Sequence, residues 1–475
     1  MRRIIKPTLI LLVLLHPLAT QAAEPRTLTL EQALALAAAN NHDITKAKEY
    51  GRMAQGKYLE ERSAALPTFS LNGHLARQVD SAQSELAMGL ISERQDSGAL
   101  TVGVSQALYT WGKVGAAIRA AEKGFQTADE KLRQATQNTG REVAAAFYNI
   151  LLAREQRDIA ARNLAQKEHH QTAVQGRFAA GVATDYDVLA ASVAVENGRP
   201  ELIRAENQLR SSRDRLRFLL ALEEEVDAAG DLVAAIPASL PNYEEALAVA
   251  RDRRPELAEL HRWQEVYTEL LTIARADNKP RVDLKGGYGW EWLNAGDASA
   301  HGQAWNLGVY LSFPFFDGLK TAGKVAQAES DLRGLNIDGA KMSSAIGLEI
   351  RDALQGVNEA EEIVTALTGT VGQAERLLTM AEKGYALGVK IALEVEDAQV
   401  NLLAAQGNLA RARRDYLVAL VNLDRAMGVL GEKTAAEKAA FSSANQNSFQ
   451  PDAFDRLRTG LAKGPLTGLR EFLQK

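Results

Sequence analysis

The sequence predicts a mixed α+β membrane protein, and three patterns carry that reading. Long segments repeat small and apolar residues at alternating steps of three and four, the seam of a coiled coil. Four shorter segments switch to a period of two, as strands do. The order of helix, strand pair and long helical hairpin occurs twice. Lys113 matches Lys320, Phe178 matches Tyr385 and Gly181 matches Gly388 at a constant shift of about 207 positions.

The 475 residues are 46% hydrophobic with a formal net charge of −5, so nothing points to nucleic acid as a partner. At the start, Arg2, Arg3 and Lys6 precede an apolar run, Leu9 to Leu15, and then Ala19-Thr20-Gln21-Ala22-Ala23. This order reads as a signal peptide over residues 1–23, cleaved near Ala22 or Ala23. The run is too short for a transmembrane anchor, and His16 and Pro17 interrupt it. No later stretch is apolar enough to span a bilayer as a helix, so membrane insertion would have to use strands. Cysteine is absent, which excludes disulfides, thiolate chemistry and a lipidated cysteine.

The first repeat is read as residues 24–230 and the second as 231–430. Each opens with a short amphipathic helix, at Leu30-Glu31-Gln32-Ala33-Leu34-Ala35 and at Tyr243-Glu244-Glu245-Ala246-Leu247-Ala248. A second helix follows, from about Asp43 to Ala65 and from about Glu256 to Asp277, each stopped by a proline, Pro67 or Pro280. Strands are then expected over about 68–77, 99–108, 281–292 and 304–313, joined by polar loops at Asp80–Ser97 and Asn294–Gly302. Each has the length of a tilted outer-membrane strand. Phe69, Leu71, Leu75, Trp290, Trp292, Trp305 and Leu307 fall on one face, with Trp290, Trp292 and Trp305 placed as an interfacial aromatic girdle. The other face is polar and glycine-rich. Taken singly, each segment fits a soluble hairpin with one buried face equally well; four of them, each pair set between long helices, favour the membrane.

The helical hairpins are read as 113–222 and 320–430, turning at Ala179-Ala180-Gly181 and Ala386-Leu387-Gly388. In the second, Ile346, Ile350, Val357, Val364 and Leu378 face Ala398, Leu402, Leu409, Tyr416 and Leu423. The first is less regular, with Arg157, Lys167 and Gln171 on its outgoing seam. Pro200 should kink or interrupt its return arm. Glu223-Glu224-Glu225 reads as a solvated helix end, and residues 431–475 as a polar tail loosely held in the periplasm.

Arms of this length, about 100 Å, carry apolar side stripes that one hairpin cannot cover alone. Four strands cannot close a barrel, and open strand edges are not tolerated in lipid. Copies of the chain are therefore required, in a number the spacing does not fix.

The chain resembles the TolC family of outer-membrane efflux and secretion channels. The resemblance rests on Ser63-Ala64-Ala65-Leu66-Pro67, Val104-Ser105-Gln106-Ala107-Leu108-Tyr109, Leu311-Ser312-Phe313-Pro314-Phe315-Phe316-Asp317-Gly318, and the turns Arg177-Phe178-Ala179-Ala180-Gly181 and Gly384-Tyr385-Ala386-Leu387-Gly388. No one of these is specific; their duplicated order, over nearly all the chain to about Leu430, is. The resemblance implies a homotrimer whose twelve-stranded β-barrel, four strands per chain, sits in outer-membrane lipid and continues into a periplasmic coiled-coil barrel. It also implies docking to a periplasmic adaptor (membrane fusion) protein and an inner-membrane RND, MFS or ABC transporter. The implied activity is that of a passive duct for tripartite efflux or type I secretion, gated at the helical tips. The alternative is a periplasmic coiled-coil adaptor or scaffold with a soluble sheet.

No catalytic, cofactor or metal pattern emerges. Adjacent His169 and His170 do not share a helix face and read as solvated. The charged residues after the tips fit helix starts, where carboxylates favour the helix dipole, and in a symmetric assembly they also multiply into rings. By resemblance, Glu394 and Asp397 match the family's periplasmic cation-binding ring. Tyr385, Lys390, Tyr186 and Asp187 match its gate links, with Asp185 beside them. Glu394 stands where the family pattern has Asp, and Lys390 where it has Arg; a lysine lacks the two-pronged pairing of a guanidinium. Gly181, Val182, Gly388 and Val389 are the expected adaptor-docking tips; the glycines also serve simply to make the turns.

Overall fold

The joins between strand and helix set the architecture. Each passes through two consecutive residues of positive φ: Trp111 (51°) and Gly112 (79°) in one, Gly318 (64°) and Leu319 (67°) in the other. A non-glycine residue there costs about 1–2 kcal/mol, so Trp111 and Leu319 are held by the elements they connect. The sharp change of direction is what lets a strand continue directly into a long helix. The computed structural model describes residues 25–79, 94–232, 240–295 and 298–431. The expected signal peptide, most of the first polar loop, and the tail beyond Gly431 lie outside these residues.

In order, the elements begin with β1 (Arg26–Leu28), α1 (Leu30–Asn40) and α2 (His42–Ser63). The strand pair β2 (Thr68–Val79) and β3 (Arg94–Tyr109) leads into α3 (Lys113–Ala179), α4 (Asp185–Leu220) and β4 (Val226–Ala228). The second round is α5 (Tyr243–Arg253), α6 (Pro255–Ala276), β5 (Arg281–Ala295), β6 (Ala298–Ser312), α7 (Lys320–Ala386) and α8 (Ala392–Ala426). Both long helices have 67 residues, about 100 Å of rise. No helix among the described residues is long and apolar enough to cross a membrane.

The sheet order is β2-β3-β5-β6, antiparallel throughout. Cross-strand partners share a face, so the register assembles one apolar surface. Phe69 pairs with Val104, Leu71 with Val102, Val102 with Tyr288, and Tyr288 with Trp305. The opposite face carries Ser70, Asn72, His74, Thr101, Lys285, Glu291 and Asn306, with glycines between them. From Val282 to Trp292 the apolar face of β5 is about 33 Å long. Beyond it the face turns polar, with Arg77 paired to Asp96. Among the described residues, neither β2 nor β6 has a partner on its outer edge.

Three expectations need correction here. The strands are longer than alternation alone indicated: β3 begins at Arg94, while β5 and β6 run to Ala295 and from Ala298. Most of the expected loop Asn294–Gly302 is therefore strand, because its small and polar residues sit on rungs above the apolar band. Trp305 stands beside Tyr288 near the middle of that band, whereas Trp290 and Trp292 lie nearer its far end. Trp292 lies flat over Gly98, where an added Cβ would meet the indole at 2.1 Å. The near end is marked instead by exposed Tyr109, Trp111, Phe313, Phe315 and Phe316. Finally, α4 is uninterrupted through Pro200. Pro200 and Glu196, whose carbonyl loses its helical donor, both face outward, so the missing hydrogen bond falls on the wet side.

The helical core sits at mid-height. Leu28, Ala33 and Ala37 pack on Val143, Phe147 and Ile150 of α3, with Leu216 and Leu220 of α4. In the second repeat Ala246, Leu247 and Ala250 pack on Ile346 and Ile350 of α7. The parallel β1–β4 pair, not foreseen from sequence, closes the first of these cores. Glu223, Glu224 and Glu225 lie past the end of α4, and the Glu225 carbonyl accepts the Arg26 N–H at 2.8 Å. Toward the tips the second seam becomes alanine: Ala374 and Ala381 on one arm, Ala398 and Ala405 on the other. On the first hairpin Lys167 is accommodated because Gly198 is small; its stem passes 3.4 Å from where a Cβ would stand.

A candidate gate at the hairpin tips

Both turns close in the same way. Gly181 (φ 75°) and Gly388 (φ 73°) adopt the left-handed conformation that ends a helix. The next amide reaches back five residues, Val182 N–H to the Arg177 carbonyl and Val389 N–H to the Gly384 carbonyl, each at 2.9 Å. A left-handed residue is needed at both positions, which favours glycine. The valines that follow are 65% and 81% exposed, on an apolar tip with Leu387, Ile391 and Leu393.

The return helices start differently. Thr184 and Asp187 form a reciprocal capping box: the Asp187 N–H donates to the Thr184 hydroxyl at 3.2 Å, and Asp187 accepts from the Thr184 N–H and hydroxyl, each at 2.8 Å. Those bonds, reinforced by the nearby Arg177 charge, hold the Asp187 carboxyl below its ordinary range. Its counterpart one repeat later is Glu394. One Glu394 oxygen accepts from the Ile391 N–H at 3.1 Å and the other from the Lys390 ammonium at 2.7 Å. The Lys390 hydrogen bond, then the Ile391 amide, hold this carboxyl below its ordinary range. The Lys390 stem folds against Gly384, where a Cβ would come within 2.9 Å of it.

The two tips are tied by one direct link. Arg177 donates to the Tyr385 hydroxyl at 2.8 Å, and its guanidinium stands 5.4 Å from the centre of that ring. Slightly higher, Gln166 donates to Glu382 at 3.3 Å. Of the residues singled out by sequence, the structure thus joins Tyr385 to Arg177 and Lys390 to Glu394. It commits Asp187 to a cap, and leaves Asp185, Tyr186 and Asp397 exposed without a side-chain partner among the described residues. Arg177 and Thr184 were missed as site residues. Thr184-x-x-Asp187 is a legible capping spacing; nothing local marks Arg177. No metal-holding cluster occurs among the described residues, and His169 and His170 are both exposed.

This geometry, two repeats each carrying a strand pair and a long hairpin, places the chain among outer-membrane channels. The sequence profile of the outer membrane efflux protein family matches residues 33–222 and 246–429, and the chain belongs to that family. It is an outer-membrane protein of a family of channels, not of enzymes or periplasmic adaptors.

Among curated relatives, the chain is 25% identical to the outer membrane protein TolC of Vibrio cholerae over 383 residues, covering 78% of this chain and 84% of that one. It is 26% identical to the alkaline protease secretion protein AprF of Pseudomonas aeruginosa, with 78% of each covered. It is 24% identical to the toluene efflux pump outer membrane protein TtgC of Pseudomonas putida, over 84% of this chain and 82% of the other. Among solved structures, the Campylobacter jejuni CmeC outer membrane channel superposes with a TM-score of 0.74 at 18% identity, covering 88% and 89%. The Neisseria gonorrhoeae MtrE channel in its open state gives 0.70 at 21% identity, covering 84% and 89%. These likenesses establish the fold.

Proposed function

We propose that three copies of this chain close a twelve-stranded barrel, and that the assembly is a passive export duct gated at the hairpin tips. The observation that carries the proposal is the sheet. It has a continuous apolar face and, among the described residues, two unpaired edges, and lipid tolerates neither an open edge nor a lone four-stranded sheet. Joining the β2 edge of one copy to the β6 edge of the next satisfies every edge. The long hairpins then extend the barrel as a helical tube, and the exposed valine tips meet a periplasmic adaptor that recruits an RND, MFS or ABC transporter. The named relatives include both a secretion protein and an efflux protein, and the cargo is taken to be set by the inner-membrane partner.

In the resting gate, Arg177–Tyr385 ties the two hairpins of one chain. Lys390–Glu394 stiffens the start of α8, and Tyr186 and Asp185 are free to reach a neighbouring tip. Asp397, exposed and unpaired, supplies the acidic ring with Glu394. Planar-bilayer recording tests the gate: Arg177→Ala with Tyr385→Phe, or Lys390→Ala with Tyr186→Phe, should raise single-channel conductance. Conductance identical to that of the parent in both variants would reject the assignment.

A further inference from the structure

Just below the strands, α2, α3 and α6 line an open groove of about 600 Å³ that the channel reading does not use. That volume lies in the range of small-molecule sites. The groove is bipolar. Its far end and floor are apolar and aromatic, built from Tyr50 and Met53 of α2, Phe125 of α3, and the stripe Trp263, Val266 and Leu270 of α6. Its membrane-side end, beside the root of β5, is lined by Lys57, Lys113, Lys279 and Arg281 against only Glu61 and Asp277. Lys57 is paired with Glu60 and Glu61 at 3.0 Å, Lys113 with Asp277 at 2.5 Å, and Arg281 with Asp283 at 2.9 Å. Lys279 has no ion pair among the described residues, and the cationic excess at this end is therefore available to a ligand.

The length fits one class of molecule. From Lys113 to Phe125 the wall formed by α3 is about 18 Å long, close to the roughly 15 Å that one leaflet of hydrocarbon, hence one acyl chain, occupies. We propose that this groove binds a single-chain anionic amphiphile, with its carboxylate or phosphate at Lys279 and its chain laid along it to Trp263. All three walls come from one chain, so the site is complete without a second copy. It rests on the membrane placement of the strands only for its supply of ligand.

The test uses the full-length protein in phosphatidylcholine nanodiscs, titrated with palmitate brominated midway along its chain, a contact quencher of tryptophan. The Trp263→Phe variant, with circular dichroism to verify its fold, removes one of the five tryptophans. The parent should show saturable quenching in excess of the variant. Lys279→Gln should raise the apparent Kd for that excess about two- to fivefold, the range for one solvent-accessible ion pair. The brominated methyl ester should give no excess. An excess equally large with the ester, or absent in the parent, would overturn the proposal while leaving the conductance tests of the channel unaffected. Leu270→Arg, which puts charge on the floor without touching the head end, should abolish the excess; if it leaves saturable quenching unchanged, the groove is not the site.

Discussion

Three acidic side chains follow the second tip, Glu394, Glu396 and Asp397, and the structure gives the first and last of them unequal work. Glu394 is the repeat counterpart of Asp187, a helix-capping residue, and is further occupied by Lys390. Asp397, like the adjacent Glu396, has no such partner among the described residues, so on the proposed gate its charge is left to act on passing ions. Asp397→Asn should therefore lower the cation-over-anion permeability ratio more than Glu394→Gln, as read from reversal potentials in a salt gradient. The reverse ranking would return the selective role to Glu394. The roles of these residues were only half legible in the sequence. Position after the turn marked them as candidates, and the Thr184-x-x-Asp187 spacing carries the cap logic that Glu394 repeats. What one chain's order could not convey is proximity across two repeats. Arg177 reaches Tyr385 across 208 positions, a distance no local pattern encodes.

At the level of elements, periodicity spoke clearly wherever one face is dry. The seam positions Ile350, Val357, Ala398 and Tyr416 are buried as the steps of three and four require. Ile350 is wholly buried against α5, and Ile350→Ala should cost about 2–5 kcal/mol, visible as a lower midpoint in denaturant. Periodicity failed where the apolar stripe ends: on the upper rungs of β5 and β6 Asn294 pairs with Ser299 on one face, while the other carries only Leu293 and small alanines, and the stretch reads as loop. It also said nothing of polar cores. Directly after α5, Arg254 is almost fully buried, bonding Glu256 at 3.2 Å and Glu349, which Arg425 also holds. Burial alone would raise the Glu256 carboxyl, but the Arg254 hydrogen bond and charge, with Arg425, bring it below the ordinary value of 4.5. A depressed folded pKa stabilises above the unfolded value, and the gain is lost as pH falls through the folded one. Acidification from neutral to about pH 3 should thus lower the thermal midpoint of the parent more than that of Glu256→Gln. Equal losses would assign the acid sensitivity to other carboxylates.

At the scale of the whole molecule, everything depends on which face of the sheet meets lipid. Leu307 and Asn306 are neighbours on β6 and point to opposite faces. Leu307 pairs with Gly286 and lies between Trp305 and Val309 on the apolar side, about halfway up the band. Asn306 pairs with Gly287 on the polar side. If the apolar face is the outer wall of a barrel, Leu307→Lys puts a charge near the bilayer midplane at a cost of about 2–4 kcal/mol per copy. A symmetric trimer meets that cost three times, so insertion should fail as a unit. Outer-membrane fractions should then lose Leu307→Lys while retaining Asn306→Lys, whose new charge would instead sit in the water-filled bore. A sheet buried against other protein would respond differently, because Leu307→Lys would misfold the chain rather than strand it outside the membrane. Helical content in the soluble fraction separates the two cases. Retained helix with lost insertion is the outcome required by a tube whose strand end is held by lipid and whose helical part is held by its own coiled coils.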